Sequence, residues 1–358
     1  MKKSRVVLAT TGTLFLILMA AFFAKVGWVQ VGAADLDMKR MGYCFDVATD
    51  ENNGRLYVAA GERGVHIFNL LQGELQYVST YYDDGYYRNL KISGDRAFIA
   101  DSRRGLVVLD IRGPTPTTTW IEGQGPAYGL HIQRNMAYVA AYGSGLKIFD
   151  IGDPDQPVLL STLSTGDYSW DVWVDKDYAY LADFNIGVSV VDISSPTTPR
   201  LIGSVTWGDR YPSAEILRGE GDYVYVAASG HGLVVVDVSD PSEPVVAAKY
   251  RPLRIGHAEG LAVRNGIVYL AQGSELEWRS SGKEIEIATT IDNGLHIIDA
   301  ADPQNLSLLS KVSFLGWVEG VHLAGNRAYV SNAWNGVRSI DISDPSSPSL
   351  VDSFESLP

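Results

Sequence analysis

One six-residue phrase recurs seven times along the chain, and it decides most of what the chain can become. It reads Gly64-Val-His-Ile-Phe-Asn69, Gly105-Leu-Val-Val-Leu-Asp110, Gly145-Leu-Lys-Ile-Phe-Asp150 and Gly187-Val-Ser-Val-Val-Asp192. It returns as Gly232-Leu-Val-Val-Val-Asp237, Gly294-Leu-His-Ile-Ile-Asp299 and Gly336-Val-Arg-Ser-Ile-Asp341. The glycines stand 41, 40, 42, 45, 62 and 42 residues apart. A nearly constant period of this length means one supersecondary unit copied end to end.

Three further phrases complete the unit. A Tyr-Val-Ala-like run precedes each glycine phrase, as in Leu56-Tyr-Val-Ala and Ala137-Tyr-Val-Ala. Nine to eleven residues upstream of its aromatic lies another short apolar run, such as Asp171-Val-Trp-Val. A fourth follows most of the Pro-rich turns, as in Pro157-Val-Leu-Leu-Ser-Thr. Turn signals separate them, including Asn53-Gly54, Asn265-Gly266 and the Asp-Pro pairs at 153–154, 240–241, 302–303 and 344–345; proline there fixes φ and stops the strand. Each unit therefore holds four short strands, A to D in order. Helical solenoids need a 3.6-residue period, which is absent. Four strands in roughly 40 residues is the size of a propeller blade, and strands apolar on both faces suit blades packed on both sides. The expected fold is all-β: a seven-bladed β-propeller of four-stranded antiparallel blades over residues 35–358, with an insertion at 272–293 in blade six.

The stretch Gly232-Leu-Val-Val-Val-Asp-Val-Ser-Asp-Pro-Ser-Glu-Pro244 closely resembles the LVIVD repeat, a β-propeller repeat of envelope and surface proteins. The resemblance covers about residues 43–354 and implies no shared activity. The first unit departs most, because Asn69-Leu-Leu-Gln-Gly lacks both the Asp and the Pro turn; blade one is expected to be irregular. No N-terminal strand is evident that would complete the last blade.

Residues 1–34 read as a targeting segment. Lys2, Lys3 and Arg5 precede an uncharged apolar run from Val6 to Ala24. Such a leader fits a signal peptide or a signal-anchor helix, and its length favours the anchor. The chain from Asp35 onward is then expected outside a bacterial-type membrane, anchored to it, or secreted if the leader is cleaved. A net charge of -13 argues against nucleic acid, whose phosphates demand a basic patch. The single cysteine, Cys44, excludes a disulfide framework within one chain and a thiolate zinc cluster.

Loops D–A and B–C share one face of such a propeller, and chemistry concentrates there. Its candidate ligand-binding residues are Tyr43, Tyr86, Tyr128, Trp170, Tyr211, His257, Trp317 and Trp334. Asp46, Asp171, Glu215, Glu259 and Glu319 begin or precede the A strands near the mouth of the central channel. Five converging acids are the candidate set for a metal ion, with calcium the fitting one because it takes oxygen ligands. Within the insertion, Glu284-Ile-Glu-Ile-Ala-Thr-Thr290 alternates as an extra hairpin strand would. No catalytic elbow, phosphate loop or histidine metal motif occurs, so no catalytic residue and no obligatory cofactor is expected. The primary expectation is a non-catalytic binding or scaffold propeller at the bacterial cell envelope, engaging a protein or glycan partner. The alternative is a propeller enzyme of lactonase or quinoprotein type with a metal in the channel, which rests on fold analogy.

Overall fold

The computed structural model describes residues 41–358 apart from 124, 209–210, 252–256, 274–276, 281–284, 289–292, 315, 356 and 358. The leader expected at residues 1–34 lies outside the described residues. Seven antiparallel sheets follow one another, each of four strands paired in chain order. The A strands are Asp46–Asp50, Tyr87–Ser93, Gly129–Gln133, Ser169–Asp175, Ile216–Glu220, His257–Arg264 and Gly320–Ala324. Each touches the next, and the last touches the first, so they form a closed inner ring around a central channel.

The repeated phrases take the places that their chemistry dictates. Strands B and C carry almost no exposed residue, as in Arg96–Asp101 and Gly105–Asp110. The strand B aromatics Tyr57, Tyr138, Tyr180, Tyr225, Tyr269 and Tyr329 are all buried in the clefts between blades. The glycine that opens strand C has φ between +77° and +141° in every blade. In six blades a Cβ there would lie 1.9–2.5 Å from a strand D carbonyl oxygen; only glycine tolerates both conditions. The aspartate that closes strand C accepts the backbone N–H two residues on, at 2.8–3.0 Å, in all six blades that have it. This local bond starts the turn to strand D. A β-bulge interrupts the C–D pairing at the equivalent place in all seven blades, adding twist to the outer edge.

Blade one is regular, contrary to the expectation from its divergent phrase. Val65–Leu71 runs straight into Glu74–Tyr81 through Gln72 and Gly73, both with positive φ. A two-residue turn of this kind matches strand twist and replaces the longer Asp-Pro connection. Blade six carries the insertion as a two-stranded ribbon, Glu277–Ser280 paired with Ile285–Ala288. Strand B of that blade continues through Gly273, with Gln272 paired to Gly294, so Gln272 belongs to the blade rather than to the insertion.

All four strands of blade seven come from residues 320–354. Among the described residues no strand is exchanged across the seam with blade one. The Cys44 N–H donates to the Ala333 carbonyl at 3.0 Å, and Ser331 Oγ donates to the Phe45 carbonyl at 3.0 Å. On the outer side the Leu75 N–H donates to Asp352 Oδ2 at 2.7 Å, and Phe354 packs on Phe68 and Tyr77.

Candidate functional site

The register of the sheets defines which residues are equivalent at the channel mouth. In each blade the last strand B residue of the Tyr-Val-Ala phrase pairs with one A-strand residue: Asp46, Asn89, Gly129, Asp171, Ile216, Gly260 and Gly320. The residues immediately before these are Phe45, Arg88, Tyr128, Trp170, Glu215, Glu259 and Glu319. Arg88, Trp170 and Glu259 are extra residues at A–B bulges. All seven line one chamber of about 290 Å³. Equivalent backbone positions thus carry unlike chemistry: aromatic rings and one guanidinium on blades one to four, three carboxylates on blades five to seven.

On the aromatic side the Arg88 guanidinium lies 4.7 Å from the Phe45 ring centre, 4.5 Å from Tyr128 and 5.4 Å from Trp170. A cation over ring faces is held by their quadrupoles. Trp170 meets Tyr128 edge-on at 4.9 Å. Arg88 Nε and the Trp170 indole nitrogen are enclosed without a hydrogen-bond partner.

On the acidic side burial, joined at Glu215 and Glu259 by repulsion from neighbouring carboxylates, favours the protonated carboxyls. Glu215 is pushed up to about 7, chiefly by burial and then by Glu319, against the pull of Arg88. Glu259 is raised well above the usual carboxylate range by burial, then by Glu215 and Glu319. Burial also raises Glu319, while the Tyr43 hydroxyl, which donates to its carboxylate, and Arg88 oppose the rise.

The other two predicted acids sit one position deeper, each with Oδ2 engaged, while Asp171 Oδ1 is enclosed without a partner. Asp46 Oδ2 accepts from Lys91 Nζ at 3.1 Å and from the Leu90 N–H at 3.3 Å. Asp171, fully buried, accepts from Arg218 Nη1 at 2.5 Å and from the Leu217 N–H at 3.2 Å. Each thus ties its blade to the next. Below them a second chamber of about 250 Å³ is lined by Lys91, Arg218, Arg264, His322 and Trp173. His131 and His322 occupy the same A-strand position, opposite Tyr138 and Tyr329. Burial and then nearby cations hold them down to about 3 and about 4. Among the described residues no three His, Cys, Asp or Glu side chains come together closely enough to hold a metal ion.

Of the eight predicted ligand residues, Tyr43, Tyr128, Trp170 and Trp317 line the mouth chamber. The others surround it. Tyr86 lies beside Phe45 and under Arg103. Trp334, half exposed, meets Tyr43 edge-on at 5.2 Å. Tyr211 is exposed beyond Phe184. His257 packs beside Trp317, and its Nδ1 lies 2.7 Å from Ser229 Oγ and 3.7 Å from Glu259. Hydroxyl and carboxylate face the same ring nitrogen, so this trio is not a proton relay, which needs one on each nitrogen. Phe45 and Arg88 escaped the reading of the sequence. Aligning the seven strand B phrases and counting back across the A–B turn, with one residue allowed for each bulge, would have found both.

A seven-bladed ring with a single chemically asymmetric mouth defines a repeat-built β-propeller. The LVIVD repeat model matches residues 84–118, 124–165, 166–206, 217–251 and 315–356, and the chain belongs to the LVIVD-repeat family. No curated protein matches the chain significantly. Solved structures of similar fold include the RRP9 WD40 repeats, at 10% identity and TM-score 0.65, covering 86% of this chain and 94% of that one. The WD40 propeller domain of Doa1 follows at 13% identity and TM-score 0.64, covering 86% and 95%. The Cps50 (Swd1) propeller domain from Myceliophteria thermophila is 12% identical with TM-score 0.60, covering 87% and 97%. Identities this low carry the fold alone.

Proposed function

We propose that the chain is a non-catalytic binding propeller of the bacterial cell envelope. Its N-terminal segment holds it at the membrane, and its mouth-side loop face engages a protein or glycan partner. One observation carries this reading. Where packing governs, the seven blades repeat one solution, as at the strand B aromatics; at the mouth ring the same position holds Phe, Arg, Tyr, Trp and three Glu. Repeats reuse packing solutions, so seven equivalent sites that abandon one have another task. Trp334 and Tyr211, 52% and 51% exposed on the same face, add the residue types that dominate binding hot spots.

The test is photo-crosslinking in cells that make the full chain. A photoreactive residue placed at Tyr211 or Trp334 is expected to capture a discrete partner, while one at Ser346, in a C–D turn on the opposite face, captures none. Equal capture from both faces, or none from either, would overturn the reading. Protease added to intact cells or spheroplasts should cleave the propeller if it lies outside the inner membrane, and a chain protected until lysis would refute the placement.

A further inference from the structure

Resting on that reading of the mouth face, we propose that the mouth chamber recognises a basic side chain, lysine or arginine, presented by a protein partner. Charge balance comes first. Glu215, Glu259 and Glu319 line the chamber together with the Arg88 guanidinium. The other charged groups lining it are already matched: Asp46 by Lys91, and Arg218 by Asp171. His257 stands beside Glu259 at 3.7 Å, and the Tyr43 hydroxyl is held neutral by burial and Glu319. Arg88 is not paired with any described carboxylate; three aromatic rings hold it instead. The chamber thus has more negative than positive capacity, and its own cation stands apart from its acids.

The shape selects the kind of cation. Among the described residues no three carboxylates close on a point that would suit a metal ion, and about 290 Å³ far exceeds the space a bare ion needs. The wall beside the acids is Trp317 and Tyr43, which suits the apolar stem of a long basic side chain whose charged head reaches the carboxylates. The Glu215 carboxyl lines the chamber and accepts no hydrogen bond from a described residue, so its acceptor capacity is unspent. The exposed rings of Trp334 and Tyr211 outside the mouth offer a partner's flanking residues a surface, which a free small cation would not use. Because burial raises the carboxyls' hold on protons, an entering cation competes with protons for them, and binding becomes tighter as pH rises.

The experiment is isothermal titration of the full chain in detergent with butylammonium and ethylguanidinium, the side-chain mimics, and with butanoate as the anionic control. Both cations are expected to bind, to release protons at pH 6, and to bind at least fivefold more tightly at pH 8 than at pH 5. The Glu215→Gln/Glu259→Gln variant should lose at least tenfold in affinity while keeping its circular dichroism spectrum and melting no lower than the wild type. Butanoate binding as tightly as the cations, affinity indifferent to pH, or affinity indifferent to the substitutions would each overturn the inference. If the mimics do not bind while Tyr211 and Trp334 still crosslink a partner, the binding-face reading stands and this inference falls. If the mimics bind but no partner crosslinks, the ligand is a free cation, and the inference as stated is also overturned.

Discussion

At the scale of single residues, the channel contrasts two uses of an acid. Asp171 is fully buried and matched to Arg218. Asp171→Ala should cost roughly 3 kcal/mol in urea unfolding, because it strands a cation in the channel wall. Asp46→Ala breaks the corresponding pair with Lys91, whose side chain is 28% exposed, and should cost roughly 1 kcal/mol, since water replaces the partner. Equal losses would show that burial does not decide the difference. Glu215 runs the other way. Its carboxyl is raised from 4.5 to about 7, so its contribution to stability is full below pH 4.5 and is lost as pH rises through 7. Glu215→Gln should therefore stabilise the chain at pH 8, by on the order of 2 kcal/mol, and leave the Tm unchanged at pH 4. A variant less stable than wild type at pH 8 would contradict this. The sequence displayed the carboxylates and most of the mouth aromatics but not their division into levels. Asp46 and Asp171 follow the mouth position by a single residue, and in a strand one residue changes the face. Arg88 was hidden by a bulge that no local pattern announces.

At the scale of the element, legibility followed backbone constraint. The glycine before strand C was readable because it answers to geometry alone, a positive φ beside a neighbouring carbonyl. Gly232 has φ of +77°, and a Cβ there would lie 2.5 Å from the Tyr250 carbonyl. Gly221, in an A–B turn, has φ of +62° and open space around it. Gly232→Ala should cost at least about 3 kcal/mol and Gly221→Ala about 1 kcal/mol, the second being the left-handed penalty by itself. Chemical denaturation of both variants checks the ordering, and similar losses would mean that the close approach relaxes freely. The blade one turn was misread for the complementary reason. An Asp-Pro cue and a Gln72-Gly73 cue reach the same blade by different turns, so the missing Asp-Pro cue does not make the blade irregular. The regular outer strand, Glu74–Tyr81, shows that the blade depends on pairing and burial rather than on one turn chemistry.

At the scale of the whole molecule, the ring has six junctions through which the chain passes and one through which it does not. The chain crosses between consecutive blades through the D–A loops, but among the described residues blade seven meets blade one through side-chain packing and a few hydrogen bonds. Among the described residues this seam is closed noncovalently. Asp352 is its outermost tie, a carboxylate on the Leu75 N–H at 2.7 Å. Asp352→Ala removes a charge-assisted bond and leaves that donor without its acceptor, at roughly 1–2 kcal/mol. Ser161→Ala, which removes a 2.6 Å bond to the Pro196 carbonyl between blades three and four, cuts a junction that the chain still spans. If the seam is the weakest joint, hydrogen exchange in the Asp352 variant should accelerate first at 74–81 and 349–354, with the interior blades following only on global unfolding. The Ser161 variant should show no such local opening. Exchange that accelerates evenly over all seven blades in both variants would mean that packing between blades makes the ring one cooperative unit, with its seam no weaker than its other joints.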